Sequence, residues 1–283
     1  MAQRLSGKEV AETLHVRIRA QVGELEARGI TPTLAFLRVG DRQDDIAYER
    51  NAGKRCEKLG VAVRHFHLPE DVTQEGLMEM ICSLNTDDEI HGVLLLRPLP
   101  PHLDEDTACR ALNPAKDVDG ITDGSLTGVF TGQELGFPPC TPEACLEMLD
   151  YYGISCEGKR AVVIGRSLVV GKPAAMMLTD RNATVTICHS HTKNLEEVCR
   201  GADILVVATG TRGVVGPGAF APGQTVLDVG IHYTEDGRIC GDIDYADADP
   251  IAAAVSPVPG GVGTVTTTVL IGHVVTAAMR RAR

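Results

Sequence analysis

Between Arg160 and Pro173 the chain reads RAVVIGRSLVVGKP, and several of these residues are spaced for anion chemistry. Ala161–Ile164 is a short apolar run of the kind that forms a buried strand. Gly165, Ser167 and Gly171 follow as G-x-S-x-x-x-G, and Pro173 suits a helix start because its φ is already fixed near the helical value. A strand, a small-residue turn and a helix N-terminus aim backbone N–H groups and the positive helix end at one point. A phosphate is the ligand that such a point attracts. The pattern differs from G-x-G-x-x-G, so its meaning depends on the elements around it.

Those elements alternate. Strands are expected over 161–164, 183–188, 204–208 and 226–229, with helices over 173–181 and 194–200. Repeated βα units with a glycine turn after the first strand predict a Rossmann-like, doubly wound domain, whose ligand lies outside the carboxyl ends of the strands. Gly165–Ser167, His189–His191, Thr209–Gly210 and Gly230–Ile231 are therefore expected along one crevice. The second strand ends Cys188-His189-Ser190-His191, without the carboxylate that usually binds a ribose 2′-hydroxyl. Arg166 in the turn, with no acid to repel a 2′-phosphate, favours NADP. Near the C-terminus, Ser256–Thr264 reads SPVPGGVGT, a rigid stretch whose glycines let backbone approach a flat ligand.

The first half shows the same alternation. Ser6, with Glu9 at capping-box spacing, opens a helix that Gly29 ends. Strands are expected over 33–39, 61–68 and 90–96, and helices over 73–84 and 105–112. A further helix after Asp41–Asp45 carries Tyr48, Ala52 and Leu59. Residues 121–139 show glycines, prolines and no clear period, which predicts a long loop with a domain boundary at its end. The fold expected is α/β, with two α/β domains flanking a cleft. The first is 1–140 plus a C-terminal helix, 266–283. The second is 141–265.

Composition narrows the function classes. The net charge of −11 over 283 residues argues against nucleic acid or an anionic membrane as partner. No uninterrupted apolar run approaches the roughly 20 residues that span a bilayer. The N-terminus has no apolar signal core, so a cytoplasmic location is expected. The nine cysteines form no C-x-x-C pair, and His65/His67 and His189/His191 alternate as strand residues do. Without further ligands in a suitable geometry, no metal site is expected.

Six stretches in order carry a family resemblance that covers essentially the whole chain. They are Pro98-Leu99-Pro100, Lys116-Asp117-Val118-Asp119-Gly120, Pro139-Cys140-Thr141-Pro142, the Gly165–Pro173 turn, Asp228-Val229-Gly230-Ile231 and Pro257–Gly263. With them the chain resembles the bifunctional methylenetetrahydrofolate dehydrogenase/methenyltetrahydrofolate cyclohydrolase enzymes of one-carbon metabolism. The resemblance implies NADP-dependent oxidation of 5,10-methylenetetrahydrofolate to the 5,10-methenyl form, followed by hydrolysis to 10-formyltetrahydrofolate. It implies NADP on Gly165, Arg166 and Ser167, with Ser190 near the 2′-phosphate, Ile231 near the nicotinamide and Thr266 touching the cofactor. The folate is implied against Tyr48, Asp119 and the loop Pro259, Gly260, Gly261 and Val262, with Tyr48 and Asp119 in the catalytic roles. Tetrahydrofolate one-carbon derivatives are the implied partners, and a homodimer through the Rossmann-like domain the implied assembly.

The second activity is where the chain departs from the family pattern. The family helix reads Tyr-x-x-x-Lys, and its lysine is the key cyclohydrolase residue. That position is Ala52 here, and the position of a partner glutamine is Leu96. Lys54 lies six residues from Tyr48, about 240° round a helix. The expectation is an intact dehydrogenase with a cyclohydrolase that is weak, or rebuilt on Lys54 or Arg97. A dehydrogenase-only enzyme and a non-catalytic folate/NADP-binding protein are the alternatives.

Overall fold

The computed structural model describes residues 1–234 and 236–282. In chain order its first elements are β1 (Gln3–Arg4), α1 (Gly7–Glu26), β2 (Thr33–Val39), α2 (Gln43–Lys58), β3 (Ala62–Leu68) and α3 (Gln74–Thr86). They are followed by β4 (Gly92–Leu95), α4 (Glu105–Ala111), α5 (Asp123–Thr131), α6 (Cys140–Tyr151), β5 (Arg160–Ile164) and α7 (Gly171–Asp180). The chain continues through β6 (Thr184–Cys188), α8 (Leu195–Arg200), β7 (Ile204–Val207), β8 (Thr225–Asp228), β9 (His232–Tyr233) and β10 (Ile239–Cys240). It closes with α9 (Tyr245–Ala248), β11 (Ala254–Val255) and α10 (Val262–Arg281).

Two compact units result, one of Met1–Glu12 with Pro139–Thr266 and one of Thr13–Pro138 with Thr267–Arg283. The second unit holds a parallel three-stranded sheet in the order β3-β2-β4. All seven residues of β2 are buried, as a central parallel strand covered on both faces requires. One face packs Ala35, Leu37 and Val39 against Leu77, Ile81 and Leu84 of α3 and against Ala108 and Cys109 of α4. The other face carries Phe36 and Arg38, and α2 lies near β3.

The first unit holds a six-stranded parallel sheet in the order β1-β11-β8-β7-β5-β6. Its consecutive strands start at β5, step outward to β6, then return past β5 to β7 and β8. That reversal creates the switch point at which doubly wound sheets bind ligands. A core of Val162, Ile164, Leu205, Val207 and Val226 fills one side.

Three features differ from the sequence expectation. The first twelve residues, assigned with 1–140, fall in the other unit because β1 pairs with β11. The expected loop 121–139 contains α5, started by Thr122, whose Oγ1 accepts from the Ser125 amide at 3.1 Å, and ended at Gly132 with φ +68°. Helix α10 begins at Val262 rather than 266, and it is long and apolar enough to cross a membrane by length and composition. Most of it is buried, with Leu270, Ile271, Val274 and Val275 nearly inaccessible, as in the core helix of a folded domain.

Candidate functional site

The pocket that holds Tyr48 and Asp119 is assembled from three segments of one unit. Lys116 and Asp117 anchor the segment that carries Asp119. The buried Lys116 ammonium donates to the carbonyls of Leu84 and Asp87, tying the segment to the end of α3. The fully buried Asp117 carboxylate accepts from the amides of Ile121 (3.0 Å) and Thr122 (2.7 Å) and from the Ser125 hydroxyl (2.6 Å). These bonds turn the chain tightly and leave the next acid, Asp119, half-buried at the pocket wall. Its Oδ2 lies 3.9 Å from Nη2 of Arg97, whose other amino group reaches Glu105.

Helix α2 supplies the opposite wall through Asp44, Asp45 and the exposed Tyr48. Arg42 and Leu94–Arg97 complete a pocket of about 350 Å³. Asp45 is buried, and burial pushes its carboxyl above the ordinary value against the pull of Arg42 and Arg38. A carboxylate held this way takes a proton more readily than an exposed one, which suits it to general base work. No motif in the sequence marks Asp45. Its position three residues before Tyr48, on the same helix face, was the available signal.

Ala52 is 3% exposed and Leu96 is 8% exposed, and neither apolar side chain contributes a polar group. Of the two expected substitutes, Arg97 lines the pocket, whereas Lys54 is exposed on α2 and is not among the lining residues. A six-residue separation rotates Lys54 away from Tyr48.

In the other unit the glycine turn is closely fitted. Gly165 has φ +125°, a backbone region that disfavours any side chain, and a Cβ there would strike the Ala208 carbonyl. A Cβ on Gly171 would strike the Gly165 carbonyl. The Ser167 hydroxyl accepts from the amides of Val170 (3.1 Å) and Gly171 (3.4 Å), which leaves its own proton to donate outward. Helix α7 thus begins at Gly171, two residues before the expected start at Pro173. Arg166, Ser167 and Ser190 are exposed beside the ends of β5 and β6, which are paired in parallel. The turn, the outward hydroxyl and the guanidinium fit a dinucleotide carrying a 2′-phosphate.

At the end of β8, Asp228 is buried and accepts from the amides of Gly230, Asp242 and Ile243, with its carboxyl pushed up by burial to about 6. It fixes the chain that presents the exposed Ile231, whose side chain lies close to Gly263. Thr266 donates to the Val262 carbonyl within α10 at 3.3 Å. The loop from Pro259 divides. Pro259 and Gly260 are exposed, while Gly261 lies against the Pro257 carbonyl and Val262 is buried at the start of α10. The structure therefore brings together Tyr48 with Asp119 in one unit. It places Gly165, Arg166, Ser167, Ser190, Ile231, Thr266 and the Pro259–Val262 loop in the other.

Comparison with known proteins gives consistent matches. Residues 5–119 match the tetrahydrofolate dehydrogenase/cyclohydrolase catalytic domain, and residues 139–282 match the NAD(P)-binding domain of the same family. A bifunctional protein FolD of Carboxydothermus hydrogenoformans is 51% identical over 280 residues, covering 98% of this chain and 97% of that protein. The crystal structure of the bifunctional enzyme FolD, methylenetetrahydrofolate dehydrogenase/cyclohydrolase, from Campylobacter jejuni superposes with a TM-score of 0.96. It is 37% identical, with 99% of this chain and 100% of that one covered. The Trypanosoma brucei dehydrogenase-cyclohydrolase, solved with NADP cofactor and an inhibitor, gives a TM-score of 0.92 at 33% identity, covering 100% and 99% of the two chains.

Proposed function

The chain belongs to the tetrahydrofolate dehydrogenase/cyclohydrolase family, and we propose that it oxidises 5,10-methylenetetrahydrofolate to 5,10-methenyltetrahydrofolate with NADP and hydrolyses that product to 10-formyltetrahydrofolate. The observation that carries this reading is the turn from Gly165 to Gly171, closed against the Ala208 carbonyl, in a chain whose two halves both match the family. The bifunctional relatives favour both activities over the dehydrogenase-only and non-catalytic alternatives.

NADP, when bound, supplies the hydride acceptor. Gly165 and Ser167 offer backbone amides and a hydroxyl to its phosphates. Arg166 and Ser190 take the 2′-phosphate, Ile231 lies at the nicotinamide end, and Thr266 contacts the cofactor. Loss of hydride from the methylene carbon leaves a cationic amidinium on the folate. Asp119 anchors the pterin and places negative charge near that cation. Tyr48 and the loop Pro259, Gly260, Gly261 and Val262 hold the donor carbon in position.

Hydrolysis adds water to the methenyl carbon, moves a proton from that water and breaks the bond to N5, which takes up a proton. Ala52 and Leu96 can do none of this. Asp45 is the base assigned to the water, and Arg97 the cation that replaces the lysine. Both line the pocket that Tyr48 and Asp119 share.

Two assays on the purified protein test the reading. NADPH should form when methylenetetrahydrofolate is added, and methenyltetrahydrofolate should decay faster than in buffer. Absence of the first overturns the dehydrogenase assignment. Absence of the second alone overturns the rebuilt cyclohydrolase.

The same reading includes a homodimer through the unit that carries the glycine turn, supported by exposed apolar residues on the β9–β10 hairpin. It places the protein in the cytoplasm, supported by nine free cysteines, seven of them buried. Tetrahydrofolate one-carbon derivatives are its partners, and the net charge of −11 disfavours nucleic acid and anionic membranes.

A further inference from the structure

Strand β3 is the edge of its sheet, and it turns His65 and His67 to one face because they are two residues apart. Phe36 pairs in register with His65, and Arg38 with His67, so all four side chains share that face. Glu49 of α2 reaches the same spot. One oxygen, Oε1, contacts His65 Nδ1 and lies 3.0 Å from His67 Nε2. The three ligand atoms all lie within 4.8 Å of one another. The sequence reading lacked a third ligand for the histidine pair. Glu49, sixteen residues before His65, provides it.

We propose that Glu49, His65 and His67 form a binding site for a divalent transition metal of the Zn²⁺ class. Two imidazoles and one carboxylate are a donor set that such ions favour. Ligand atoms about 2.0 Å from a tetrahedral zinc sit about 3.3 Å from each other. Oε1 of Glu49 lies 3.0 Å from His67 Nε2, a few tenths of an ångström short of that spacing, and nearer still to His65 Nδ1, so the side chains must spread to admit an ion.

The surroundings suit an exchangeable ion. Arg38, itself buried, donates through Nε to the other Glu49 oxygen at 3.2 Å, which orients the carboxylate and leaves Oε1 to the metal. Phe36 stacks on His65 with ring centroids 5.8 Å apart and planes 11° from parallel, which limits how that imidazole turns. The histidine side chains are 47% and 48% exposed, so an ion can enter and keep water at its open positions. The site requires neither folate nor cofactor and goes beyond the catalytic reading.

The test is metal binding by the full chain after treatment with a chelator. Zn²⁺ alone is titrated by equilibrium dialysis, and Co²⁺ alone by visible absorption. One tight site per chain is expected, with d–d bands and no thiolate charge-transfer band. His67→Ala and His65→Ala should each weaken it at least about tenfold, since even an outer-sphere partner is worth that much. His102→Ala should leave it unchanged. Unchanged Zn²⁺ affinity in the His65→Ala/His67→Ala double variant, a thiolate band, or no binding by the wild-type chain would each overturn the proposal. The last result would leave the cluster as a hydrogen-bonded lock between α2 and β3.

Discussion

Burial lifts the Asp45 carboxyl above its ordinary value while Arg42 and Arg38 pull it back. As a base it works only when ionised. Hydrolysis of methenyltetrahydrofolate should therefore fall as pH drops through that raised pKa, and the acid limb should lie above the range of an exposed aspartate. Asp45→Asn should flatten that limb and lower the plateau by about 10²-fold or more, with a smaller loss in the dehydrogenase. A pH–rate profile of both activities checks this, and equal losses would reduce Asp45 to a structural role. In the proposed reading Arg166 makes a different kind of contribution, because it bears on one cofactor and not its close relative. A charge-assisted contact to phosphate is worth about 1.5–3 kcal/mol, or roughly 10- to 150-fold in KM. Arg166→Ala should cost NADP that much and leave NAD within about twofold. Steady-state kinetics with both cofactors decides it, since equal losses would mean that the guanidinium does not read the 2′-phosphate.

At the scale of elements, the glycine turn is a joint with no spare room. Gly165→Ala adds backbone strain of about 1–3 kcal/mol and drives a methyl group into the Ala208 carbonyl. Gly158, with φ +69° and open space around it, carries only the strain. Both variants should lower the melting temperature, and only Gly165→Ala should also weaken NADP binding, by at least about tenfold for a lost charge-assisted contact. Thermal melts with and without NADP separate the two effects. This turn was legible in the sequence because its strand, glycines and helix are contiguous, and the alternation of buried runs gave the parallel sheets for the same reason. What stayed hidden depends on distant pairing. Nothing local to Gln3–Arg4 indicates β11 as its partner. The meeting of Glu49 with His65 and His67 needs the placement of α2 over β3. Helix α5 is another case. Its Thr122 start and Gly132 end were readable as cap signals, but the glycines between them masked the helical period.

For the molecule as a whole, association has to overcome charge. A net charge of −11 on each chain repels a second copy, so a stable homodimer needs an apolar patch large enough to offset it. The β9–β10 hairpin offers exposed apolar side chains for such a patch. Tyr233 is 75% exposed and Ile239 is 39% exposed, and the two are register partners on a two-stranded antiparallel sheet with open edges. Such an edge is a template for pairing with another strand, and a second copy of the same hairpin satisfies it symmetrically. The interface must bury about 1,200–2,000 Å² in total to be stable, so the hairpin would be its centre and neighbouring surface of the same unit its rim. Sedimentation equilibrium of the wild-type chain should give a dimer. Tyr233→Arg puts a charge at the centre of the patch and should give monomers with an unchanged circular dichroism spectrum. Rising salt should strengthen the wild-type dimer, because it screens the repulsion and leaves the apolar contact in place. A wild-type chain that sediments as a monomer at every salt concentration would remove the hairpin as a self-association surface.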